Sequence, residues 1–147
     1  MMTKQKNLNG EELEPCSLEP LTGYLRDGYC SYSNDDNGLH TVCAKMDSDF
    51  LNYTASKGND LSSVVKPGQK WCLCQNRWDQ AYNDGVAPNV ILESTNNVTD
   101  EKIKRHILLR SSSLREKKKK SQKNIKEGRP KNKNRQSKKN ILNRKYK

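Results

Sequence analysis

The chain changes character at residue 110, and that break limits what it can fold into. From Ser111 to Lys147 it runs SSSLREKKKKSQKNIKEGRPKNKNRQSKKNILNRKYK, with five large apolar side chains: Leu114, Ile125, Ile141, Leu142 and Tyr146. So few cannot offset the entropy lost on ordering a chain of that length, and residues 111–147 are expected to form a disordered Lys/Arg/Asn-rich tail. Charge breaks at the same place. Residues 1–110 hold 12 Lys/Arg against 15 Asp/Glu and the remainder 16 Lys/Arg against 2 Glu, so the net +11 describes a mildly acidic domain with a basic tail. Folding signals are confined to the first part, which is long enough to bury roughly two-thirds of its unfolded surface.

No apolar run approaches the roughly 18 residues of a membrane span, so no membrane partner is expected. The start, MMTKQKNLNGEELEP, lacks the apolar core of a secretory signal. The expected location is therefore cytoplasmic, or nuclear through the basic tail, and not secreted. This bears on Cys16, Cys30, Cys43, Cys72 and Cys74. In a reducing compartment structural disulfides are rare, and an odd number of thiols cannot all pair. Free cysteines are the expectation.

The stretch LEPCSLEPLTGYLRDGYC has Pro15, Pro20, Gly23 and Gly28 at short intervals, which predicts turns pinned to a core by Leu13, Leu18, Leu21 and Tyr24. HTVCAKM alternates: Val42, Ala44 and Met46 on one strand face, Thr41, Cys43 and Lys45 on the other. Asp47 or Ser48 can cap a helix to about Lys57, with Phe50, Leu51 and Ala55 inward and Gly58 ending it. WCLC predicts a strand running straight into a helix, QNRWDQAYND, which Gly85 stops. A strand over about Asn89–Thr95 and a last helix with Thr99 as N-cap complete the pattern. The fold class expected is α+β, about three strands and three helices over residues 8–110.

The strings LEPCSLEPLTGYLRDGYC, HTVCAKMDSDFL, GNDLS, KPGQKWCLCQNRWDQAYNDGVAP and VILEST, spanning about residues 8 to 96, resemble the family known as domain of unknown function 2237. The resemblance implies a compact α+β domain and no particular activity. This chain departs from the family pattern twice. It has only SSVV where the family carries a longer proline-rich insertion before KPG, and STN where the family tends to show ATH, so that Asn96 stands in a histidine's place.

The candidate chemistry centres on Cys30, His40, Cys43, Cys72 and Cys74, as a thiol or metal cluster. On a strand, Cys72 and Cys74 would share a face with Cα atoms about 6.6 Å apart, too far for an unstrained disulfide but within reach of a shared zinc. None of the spacings is the C-x2-C of a zinc ribbon, although Cys16 could add a ligand. Against both stands plain burial, since free cysteine packs as a small hydrophobe. His40 is a structural histidine or the base of a Cys–His pair with Cys30 or Cys72; Cys43 would face away from it. Arg26, Asp27, Asn59 and Asp60 are polar pocket candidates, or simply turn residues. Trp71 and Trp78 are expected in the core. The tail suits nucleic acid or another acidic partner through counterion release, or is a solvated appendage. These residues describe a small intracellular binding or accessory protein with no assignable reaction or cofactor. The alternatives are a thiol-dependent redox protein or enzyme, a Cys/His metal-binding domain, and tail-mediated association with nucleic acid.

Overall fold

In a computed structural model the described residues are 5–112. The expected tail therefore lies outside the described residues, apart from positions 111 and 112, which continue the last helix. Three short strands form one antiparallel sheet in the order β2-β1-β3: β1 Val42–Lys45, β2 Lys70–Leu73 and β3 Asn89–Val90. Helix α1, Ser48–Ser56, joins β1 to β2; α2, Gln75–Asn83, follows β2; and α3 covers residues 101–112. The class is α+β, as expected, and no helix among the described residues is long and apolar enough to cross a membrane.

The period-two alternation of β1 sorts two cores onto the two faces of the sheet. Val42, Ala44 and Met46 join Trp71, Leu73, Phe50, Trp78, Ala81, Ile103 and Ile107 in the main apolar core under the helices. Cys43 points the other way, into a second cluster of Cys16, Cys30 and Cys72. Register explains this meeting: Cys43 and Cys72 are directly paired across β1 and β2, so their side chains must share a face. Trp71 and Trp78 are core residues, and the Trp78 indole N–H satisfies itself on the Pro88 carbonyl at 3.0 Å.

Several boundaries and side-chain directions differ from expectation. The third strand stops at Val90; a 3-10 turn, Leu92–Ser94, replaces its second half because Thr95 and Ile91 bond to the Cys43 carbonyl and turn the chain. In α1 it is Thr54, not Ala55, that is buried. Thr54 there accepts from the Asn59 amide at 3.0 Å, so a polar residue is satisfied inside the domain. The last helix is capped by Asp100, whose carboxylate accepts from the Lys102 and Ile103 amides, one residue after the expected Thr99. Thr99 is instead buried, its hydroxyl 2.8 Å from that of Thr41. Of the four residues expected to pin the N-terminal turns, Leu13 is buried, whereas Leu18, Leu21 and Tyr24 are exposed.

Candidate functional site

The N-terminal turns are fastened to the sheet by sulfur. Cys16 is bonded to Cys43 and Cys30 to Cys72, with Cα separations of 5.7 and 5.4 Å, both in the range a disulfide accepts. The expectation of five free thiols is thus corrected; the reason is tertiary, since two loop cysteines are folded directly over the cross-strand pair. All four are buried. The two bridges adjoin: the sulfurs of Cys16, Cys30 and Cys43 lie within 4.8 Å of one another.

Each of these cysteines is also held through its backbone. The Cys16 N–H donates to the Gly28 carbonyl at 2.7 Å, and the Cys30 carbonyl accepts from the Asn96 amide at 3.1 Å. The Cys43 N–H donates to the Thr95 hydroxyl at 3.1 Å, and the Cys72 N–H to the Thr22 hydroxyl at 2.9 Å. Asn96 is thus a positioning residue for Cys30. Its side-chain oxygen accepts from the Val98 amide.

Cys74 does not belong to this cluster as the sequence suggested. The strand ends at Leu73, so Cys74 is not on a face shared with Cys72; it sits as the half-buried N-cap of α2, without a side-chain cap bond. Cys74 is the free cysteine, and Cys16, which entered the sequence reading only as an added ligand, completes the group of four.

His40 stands just before β1, two residues after the polar stretch SYSNDDNG, and one carboxylate of that stretch organises the turn. Asp36 is nearly fully buried, and its oxygens accept from the Gly38 N–H at 3.2 Å, the His40 N–H at 2.9 Å and the His40 ring at 2.8 Å. Burial alone pushes the Asp36 carboxyl up, but the bonds from His40 and Gly38 and the attraction of the imidazole outweigh it, so its pKa lies below the usual value. Only a ring N–H can face a carboxylate at this distance, so Nδ1 carries hydrogen, on a side chain that is 40% exposed. Gly38 makes room for the ring: a Cβ there would lie 2.7 Å from its Cε1. Leu39, between them, has φ of 50°, an uncommon conformation for a side-chain-bearing residue. Tyr24 stacks over the ring at 6.5 Å.

The polar candidates sort into turns. Asp27 accepts from the Tyr29 amide, Asp60 from Ser62, and the Asn59 amide is spent on Thr54. Arg26, with φ of 55°, donates to the Gly23 carbonyl and places its guanidinium 5.4 Å from the Trp71 ring centroid. Arg26 and Asp27 belong to the loop between Cys16 and Cys30, whereas Asn59 and Asp60 follow α1.

A second histidine–carboxylate pair escaped the sequence reading. His106 of α3 has Nδ1 2.6 Å from Asp79 of α2, with Tyr82 stacked on it at 4.4 Å and Trp78 on Tyr82 at 5.4 Å. Asp79 lies 27 residues from it, so spacing gave no signal. It ties α3 to α2.

No curated protein matches the chain. Residues 6–112 match the sequence pattern of the domain of unknown function 2237 family, described as an uncharacterized protein conserved in bacteria; the chain belongs to that family.

Proposed function

We propose that the protein is a small intracellular binding or accessory module, folded over about residues 8–110, and that its contact surface is the loop 18–28 with His40 beside it. The observation that carries this is a cluster of exposed apolar side chains on a stapled loop: Leu18, Leu21, Tyr24 and Leu25 are 65%, 46%, 41% and 51% exposed. Concentrated apolar exposure of this kind marks interaction surfaces. The loop beneath is fixed by Cys16, Cys30 and the Thr22 hydroxyl, so little ordering entropy remains to be lost on binding. The partner that fits is a peptide segment presenting apolar side chains, with a polar group to meet the part-exposed His40 ring. A thiol enzyme is the weaker reading, because four cysteines are buried in pairs and only Cys74 is free.

Selection of random displayed peptides on the folded protein tests this. The expected outcome is an apolar consensus whose binding is lost in Leu18→Glu/Leu25→Glu and weakened in His40→Ala. A consensus that binds the double variant equally well, or none at all, would overturn the proposal.

Residues 111–147 favour a second partner through their 16 Lys/Arg against 2 Glu. Association with nucleic acid would be non-specific and would fall by orders of magnitude between roughly 50 and 200 mM salt if about 6–10 phosphates are met. It should vanish when the chain is truncated after Arg110. Salt-insensitive binding would count against it.

A further inference from the structure

Independently of the apolar surface, we propose that the four paired cysteines are a redox-gated metal site. When both disulfides are reduced, Cys16, Cys30, Cys43 and Cys72 form a tetrathiolate centre for a soft divalent cation of the zinc class.

The geometry requires little movement. A tetrahedral zinc with sulfurs at about 2.3 Å has sulfur–sulfur edges of about 3.8 Å. Three of the four sulfurs already lie within 4.8 Å of one another, and the fourth, Cys72, is bonded to one of them. Opening each bridge separates its two sulfurs toward the spacing that the neighbouring sulfurs have across the cluster.

The frame does not depend on the bridges alone. Cys43 and Cys72 are register partners in adjacent strands. The backbones of Cys16, Cys43 and Cys72 donate to Gly28, Thr95 and Thr22, and that of Cys30 accepts from Asn96. None of these bonds involves a sulfur atom, so opening the bridges breaks none of them directly, and together they aim the four sulfurs at one region, which is the preorganisation a metal site needs. Zinc in structural sites is held by four such ligands, drawn from cysteine and histidine.

The chemistry balances with a dithiol reductant. Two dithiols deliver four electrons and close to their own disulfides, and the two protein bridges open to four thiols. Zinc binding then displaces the four thiol protons and leaves a centre of charge −2. Two equivalents of a small-molecule disulfide reverse both steps: each takes up two electrons and two protons and leaves as thiol, the two protein bridges re-form, and the metal is released, since a disulfide sulfur is no longer a thiolate ligand. Disulfides in reducing compartments are commonly transient or redox-sensing, and such a switch would let the N-terminal turns stay fastened in either state.

Anaerobic titration of the full chain with Co²⁺, before and after reduction by dithiothreitol and removal of the reductant, tests the proposal. The reduced chain should take one equivalent, with thiolate-to-cobalt charge transfer and tetrahedral ligand-field bands. Zinc should displace the cobalt, and the oxidised chain should show neither signal. Single Ser substitutions at Cys16, Cys30, Cys43 or Cys72 should weaken binding by more than the roughly 10–100-fold that losing an outer-shell partner costs. Cys74→Ser should leave affinity unchanged. Circular dichroism followed in the same titration covers the case in which reduction unfolds the chain: cobalt should then restore the native spectrum. No thiolate-to-cobalt band in the reduced chain, folded or not, would overturn the site. So would binding that never restores native structure, or that needs Cys74.

Discussion

Asp36 and Tyr53 show how single residues carry testable electrostatics in this domain. Asp36 has a folded-state pKa below the unfolded one, so its contribution is complete above the unfolded value and is lost as pH falls through the folded value. Asp36→Asn should cost about 1.5–3 kcal/mol at neutral pH, the range for hydrogen bonds to a charged group, and should flatten the acid limb of the stability curve. Urea midpoints measured across the acid range check both. Tyr53 is the opposite case. Its hydroxyl donates to Asp84 at 2.5 Å, which pushes its pKa up to about 12. That contribution is present below the unfolded pKa of 10.0 and is lost as pH rises through about 12. In an absorbance titration one tyrosine should ionise late, and Asp84→Asn should return it toward the others; an unchanged late phase would show that another tyrosine is responsible.

Among the elements, α2 is where local sequence and tertiary packing pull apart. It begins at Cys74, an N-cap with no side-chain cap bond, so the first amides of the helix have no acceptor from its side chain. Cys74→Asp should stabilise the protein by about 1 kcal/mol, the usual worth of an N-cap, and a stabilised variant would place Cys74 outside any essential chemistry of the fold. A loss of stability would instead reveal packing at the sulfur. Four positions on, Trp78 joins both the apolar core and the aromatic stack that runs through Tyr82 to His106. Trp78→Ala should cost about 3–5 kcal/mol, and thermal unfolding would measure it. Helix α3 is tied to α2 at its cap as well: the Asp100 N–H donates to the side-chain oxygen of the buried Gln75, at the start of α2.

For the molecule as a whole, stability rests on the two bridges as much as on the sheet. The three strands have only four, four and two residues, and much of residues 5–30 is irregular backbone. Closing loops with sequence separations of 27 and 42 is worth roughly 3.5–4 kcal/mol each by loss of unfolded-state entropy. The paired substitution Cys30→Ser/Cys72→Ser should therefore lower the denaturant midpoint at least as much as Cys16→Ser/Cys43→Ser, since it opens the longer loop. Equal stability of wild type and either double variant would mean that packing and backbone bonds alone hold the turns in place.

Sequence by itself determined what is local. The period-two run Val42, Ala44, Met46 against Cys43, the Asp47 cap and the passage from strand to helix at Cys74 all follow from a few neighbouring residues, and all stand in the structure. The candidate site was legible only as a set of residue types. Four cysteines admit three pairings, and nothing local distinguishes them. Fold geometry chose, by laying Cys16 and Cys30 over the register pair Cys43 and Cys72 and leaving Cys74 at a helix end. The same holds for Leu18, Leu21 and Tyr24: their apolar character suggested burial, but the sulfur side of the sheet is already filled by cysteine, so these side chains face outward. Alternation along a strand is fixed by backbone geometry over a few ångströms, whereas which distant segments meet is fixed by packing the whole chain at once.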